Sequence, residues 1–72
     1  MTASIRLLDV VALTADLPDN CLVRGQVGTV VGILVPNVYE VEFSDDEGRS
    51  YAQLSLRDQD LMILHHQPYK AV

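Results

Sequence analysis

Residues 22–43 read LVRGQVGTVVGILVPNVYEVEF, and no other stretch constrains the fold as much. Arg24-Gly25-Gln26 forms a charged turn that feeds a β-branched run, Val27 to Val35. Pro36-Asn37 breaks that run, and Val38 to Phe43 then alternates strictly. Alternation with period two puts Tyr39, Val41 and Phe43 on one face and Glu40 and Glu42 on the other. A chain with this centre folds as a small β-barrel. Gly25 suits a turn with positive φ. Gly28, inside the strand pattern, marks a bulge or a close backbone approach. Gly32 lets a long strand bend from one side of a barrel to the other.

The flanking sequence completes the pattern. Asp9 to Leu13 reads as the first strand, because Val10-Val11 favours a strand over a helix. Thr14 to Leu22 is a long loop rich in turn formers: Asp16, Pro18, Asp19 and Asn20. Ser44 to Gly48 is a hairpin tip, with Gly48 at the left-handed position. Arg49 to Leu56 returns as the fourth strand, with Ala52, Leu54 and Leu56 inward and Tyr51, Gln53 and Ser55 outward. Arg57 to Asp60 is a short 3-10 link, and Leu61 to Leu64 is the fifth strand. Residues 65–72, from His65 to Val72, form a tail that Pro68 keeps out of the sheet. The pattern predicts an all-β fold: a five-stranded SH3-like barrel with a long first loop and a 3-10 turn before the last strand. An OB-fold is the runner-up, but the Asp45–Gly48 turn leaves no room for its helix.

Length and charge bound what such a barrel can do. Seventy-two residues make one domain, with the core expected over residues 7–64. A hydrophobic fraction of 49% is high for so short a chain, and predicts apolar surface shared with another chain. Self-association, with a homodimer as one form, is therefore an expectation. Ten acidic side chains against five basic ones give a formal charge of −5. Such a surface repels phosphate backbones and favours basic or neutral partners. A single cysteine, Cys21, excludes an internal disulfide and fits a reducing compartment. No signal peptide and no membrane-length apolar run is visible. The expected setting is the cytoplasm, without membrane or cofactor.

Several side chains could carry chemistry, and each has a plainer structural role. Gly25 and Gly28 could present amides to a phosphate, but no Lys or Ser/Thr signature follows them. Asp45-Asp46-Glu47 could hold a divalent cation, yet the calcium-loop spacing is absent and a solvated tip is the better reading. His65 and His66 would point to opposite faces of a strand. Cys21 sits among acids that disfavour a thiolate, which predicts a partly buried structural cysteine. Arg49 is expected to pair with Glu40 or Glu42 across the hairpin. No nucleophile, base and orienting group can be assembled, so no enzyme is expected. A proline-reading groove is also not expected, because Tyr39 and Phe43 belong to the core and there is no tryptophan.

The sequence resembles a family of short bacterial proteins known only as a domain of unknown function. The likeness lies in Leu8 to Leu13, Asp16-Leu17-Pro18, Leu22 to Val31, Tyr39 to Phe43, Gly48 to Ala52 and Leu54-Ser55-Leu56 to Leu61. It covers roughly residues 7 to 64. The resemblance implies a stand-alone SH3-like barrel and brings no activity or site residues. Val35-Pro36-Asn37 and His65-His66 depart from it. The Gly25–Val31 segment also looks like the turn of KOW-like barrels that bind RNA, a reading the acidic surface disfavours. The leading expectation is a non-enzymatic interaction module that binds another protein, or itself, through an acidic loop face or an exposed sheet edge, or an accessory partner of a larger bacterial protein. Its partner-binding candidates are Asp16 and Asp19 in the loop and Asp45, Asp46 and Glu47 at the tip, two acidic rims expected to face each other.

Overall fold

The structure is a computed structural model in which residues 4–65 are described. Five strands follow the predicted order: β1 (Val10–Leu13), β2 (Val27–Val35), β3 (Val38–Ser44), β4 (Ser50–Arg57) and β5 (Leu61–Ile63). A 3-10 turn at Asp58–Asp60 precedes β5, as expected, and a second occupies Pro18–Asn20 in the long loop. The sheet order is β4-β3-β2-β1-β5, and every pairing is antiparallel. The first four strands are a meander, and β5 crosses back to lie beside β1 with Val11 opposite Ile63 and Leu13 opposite Leu61. This is the five-stranded SH3-like order, coiled around one core.

The core follows from the period-two pattern. Tyr39, Val41 and Phe43 are buried from β3, with Val11 and Leu13 from β1 and Val30 from β2. Leu56 and Leu61 close it, and Leu22 and Leu17 plug it from the long loop. Leu17 and Leu22 exchange backbone hydrogen bonds (2.9 and 3.1 Å), so the loop is pinned at its base. Phe43 is fully buried, and removing such a side chain costs roughly 3–5 kcal/mol. Ile5 also packs on the core, which therefore begins two residues before the expected boundary at residue 7.

Bulges bend the sheet where a flat one could not coil. In β2 the register slips at Val31 and again at Leu34, each an extra residue relative to β3. In β4 Tyr51 is the extra residue between Ala52, opposite Phe43, and Ser50, opposite Ser44. Gly28 is buried, and a Cβ there would lie 2.8 Å from the Glu42 carbonyl oxygen and 2.8 Å from Val41 Cγ1. Its conformation is ordinary; what excludes a side chain is the close approach of β3. Pro36-Asn37 joins β2 to β3 with Asn37 at φ 68°, the positive φ that the third position of a type II turn takes.

Candidate functional site

The acidic tip is ordered by its own side chains. Asp45 Oδ1 accepts from the backbone N–H groups of Glu47 and Arg49, both at 2.9 Å. Gly48, at φ 81°, donates to the Asp45 carbonyl. The Arg49 guanidinium pairs with Asp45 Oδ2 at 3.3 Å and with the Glu47 carboxylate. The expected cross-strand pair of Arg49 with Glu40 or Glu42 is absent, because the turn brings two nearer carboxylates to the guanidinium. Glu40 instead accepts from Gln53 Nε2 and Ser55 Oγ. The Arg49 N–H is the largest influence on the Asp45 carboxyl; desolvation opposes it, and the Glu47 N–H and the Arg49 side chain add to it, so the carboxyl is held below its ordinary value near 3.8.

Asp16 also serves the backbone. Its Oδ1 accepts from the Arg24 N–H at 2.8 Å and fastens the long loop to the Arg24-Gly25 turn. Gly25, at φ 94°, donates to the Leu13 carbonyl. Gln26 then links this turn to β4: its Oε1 accepts from Val23 N–H at 2.6 Å and its Nε2 donates to Tyr51 Oη at 3.0 Å. Tyr51, the extra residue of the β4 bulge, is exposed, and its ring lies 6.4 Å from that of Phe43. Asp16 therefore holds the loop to this turn, and Gln26 ties the same turn to Tyr51, at the start of the strand that follows the tip. Of the five candidate carboxylates, Asp16, Asp45 and Glu47 are engaged in local bonds. Asp19 and Asp46 make no side-chain hydrogen bond among the described residues.

Cys21 does not match expectation. It is exposed, at φ 57°, because it caps the Pro18–Asn20 turn in a left-handed conformation that carries its side chain outward. Its N–H donates to the Pro18 carbonyl at 3.2 Å. His65 is exposed, and His66 with the rest of the expected tail lies outside the described residues. Among the described residues no polar or charged residue is buried, and no group of three metal-ligating side chains converges. No helix there is long and apolar enough to cross a membrane. At the other end of the sheet a cleft of about 650 Å³ opens between apolar Ile5, Tyr39, Leu61 and Ile63 and polar Asn37, Asp58 and His65.

A different surface is more prominent than either acidic rim. Val31, Ile33, Leu34 and Val35 of β2 are 40–55% exposed. Leu8 lies beside them, since its N–H donates to the Val30 carbonyl at 2.7 Å. Leu7 and Leu8 form the tip of a four-residue turn closed by the Asp9 N–H to the Arg6 carbonyl, and by the Arg6 N–H to Asp9 Oδ2. Leu8 sits there at φ 72° and is 70% exposed. A left-handed conformation costs a β-carbon residue roughly 1–2 kcal/mol, and glycine is the residue such a turn favours. One signal in the sequence pointed to this surface. The run from Val30 to Val35 does not alternate, and continuous apolar strands belong to sheets covered on both faces.

A family model described as "Domain of unknown function (DUF4926)" matches residues 7–63. The chain belongs to that family. The match spans β1 through β5, so the DUF4926 domain here is the five-stranded unit itself. No curated protein and no solved structure matches the chain.

Proposed function

We propose that this DUF4926 chain is a non-enzymatic interaction module that binds another protein, as the accessory partner of a larger bacterial protein in the cytoplasm. The observation that carries the reading is the exposed apolar surface. Ten large hydrophobic side chains of the described residues are exposed. Six of them lie in Leu7-Leu8 and in Val31 to Val35, and clustered exposed apolar side chains on a small domain mark an interaction site. The charge of −5 supports a protein partner over nucleic acid, whose binding draws on clustered Lys and Arg. Asp19 and Asp46, which make no side-chain hydrogen bond among the described residues, are the rim carboxylates offered to a basic partner.

The test is retention of the purified chain on immobilised nucleic acid at low salt, beside capture of proteins from an extract of the native host. The reading expects a stoichiometric protein and no nucleic-acid retention. Salt-sensitive retention on nucleic acid with no captured protein supports the RNA-binding alternative through the Gly25–Val31 turn.

A further inference from the structure

We propose that the docking surface is the Leu7-Leu8 turn together with the second half of β2, and that its occupant is a partner-protein segment of apolar side chains interspersed with Lys or Arg. The proposal rests on the interaction reading above and gives it a place and a ligand chemistry.

Two independent costs meet at Leu8. Its backbone is held at positive φ, and its side chain is 70% exposed. Backbone strain clusters at binding and active sites, where it preorganises them. The strain is fixed by three hydrogen bonds: Leu8 N–H to Val30 carbonyl, Asp9 N–H to Arg6 carbonyl and Arg6 N–H to Asp9 Oδ2. The turn is therefore preformed, which lowers the ordering cost of binding. From Val30 to Val35 the strand advances about 16 Å at roughly 3.3 Å per residue, enough to line about five extended residues of a ligand.

Charge selects the occupant. Glu40 lies opposite Gly32 in this part of β2, and Glu42 lies opposite Thr29 just before it. Gly32 has no side chain to screen them, and Glu40 Cβ would be 3.4 Å from a Cβ placed there. Among the described residues Glu40 is hydrogen-bonded only to neutral Gln53 and Ser55 and pairs with no cation. Arg6 at one end offsets part of this charge. A second copy docking on the same patch about a two-fold axis would bring the Glu40 and Glu42 carboxylates of both copies into one interface with no added cation but Arg6. A segment with cations between its apolar anchors meets the leucines, valines and glutamates together.

The test is an NMR titration of isotope-labelled protein with a synthetic leucine/lysine peptide. Two control peptides replace its leucines by serine or its lysines by glutamate. The expected result is saturable binding of the first peptide, with amide shifts grouped at residues 7–9, 30–35 and 40–42. Both controls bind at least about tenfold more weakly, and so does Leu8→Asn, the loss expected for one buried leucine side chain. Asparagine tolerates the left-handed region, so Leu8→Asn melts no lower than the natural chain while binding less; a merely structural leucine would lower both. Shifts confined to residues 45–48, equal binding of the serine peptide, or a peptide-free dimer with shifts at the same residues would each overturn the placement. The interaction reading survives those outcomes and fails separately, if the host extract yields no protein partner.

Discussion

Gly28→Ala measures how closely β2 and β3 approach. The added methyl would meet the Glu42 carbonyl oxygen at 2.8 Å, Val41 Cγ1 at 2.8 Å and Phe43 Cδ1 at 3.0 Å. The first of these is backbone in the central ladder, and the other two are fully buried, so none moves freely. Overpacking of this kind costs about 1–3 kcal/mol, and three close atoms place Gly28 at the upper end. The backbone entropy recovered on replacing a strand glycine returns about 0.5–1 kcal/mol. The net loss is about 2 kcal/mol, out of a total of about 4–11 kcal/mol for a chain of this length. That loss lowers the melting temperature by about 8–16 °C. Urea unfolding followed by circular dichroism reads it as a lower midpoint at unchanged slope. Gly32→Ala is the internal control, because its Cβ would meet only Glu40 Cβ at 3.4 Å. It should be neutral or stabilising by up to about 1 kcal/mol. A Gly28 variant within about 0.5 kcal/mol of the natural chain, or a Gly32 variant that is the costlier of the two, would refute the packing argument.

Further predictions concern the turns and the loop. Asp45 has a folded-state pKa below its unfolded value, so its contribution is complete above that unfolded value and lost as pH falls through the folded one. Asp45→Asn keeps the Oδ1 acceptor and should flatten the loss of stability below about pH 4 in acid unfolding curves; an unchanged acid slope would contradict this. Cys21 is exposed, so the native protein should react with a thiol reagent as fast as the urea-unfolded chain. Protection of that thiol until unfolding would remove the outward left-handed cap. Tyr51→Phe deletes the acceptor for Gln26 Nε2 at the surface and should cost no more than about 1 kcal/mol, with the tip and core amide shifts unmoved. A larger loss would mean that Tyr51 does more than tie the Arg24 turn to β4.

The strands were legible because their signals are local. Tyr39 to Phe43 alternate, Pro36-Asn37 punctuates, and Gly25 and Gly48 occupy the positive-φ positions their turns require. The parity of β4 was also legible, down to an outward Tyr51. What was not legible depends on geometry that parity does not carry. The bulges at Val31 and Leu34 break the count of two, so a run that reads as core has much of its surface exposed. Arg49 turned to Asp45 and Glu47 because an aspartate-capped turn brings them closer than the neighbouring strand does. Cys21 reads as a small buried hydrophobe by residue type, but its position after a 3-10 turn decides its direction. The acids of the loop and tip read as binding groups, whereas Asp16 and Asp45 mainly serve backbone N–H groups. A leucine held at positive φ has no counterpart in composition or period, and only the folded turn shows it.

The central claim is that the exposed apolar surface belongs to a protein partner. The most direct measurement is quantitative capture from native host extract, treated with nuclease, by the natural chain and by a Leu7→Ser, Leu8→Asn double variant of equal thermal stability. The account predicts one protein retained in stoichiometric amount by the natural chain and depleted from the variant. Equal capture by both chains would take the partner off this surface, and capture of no protein by either would contradict the claim itself.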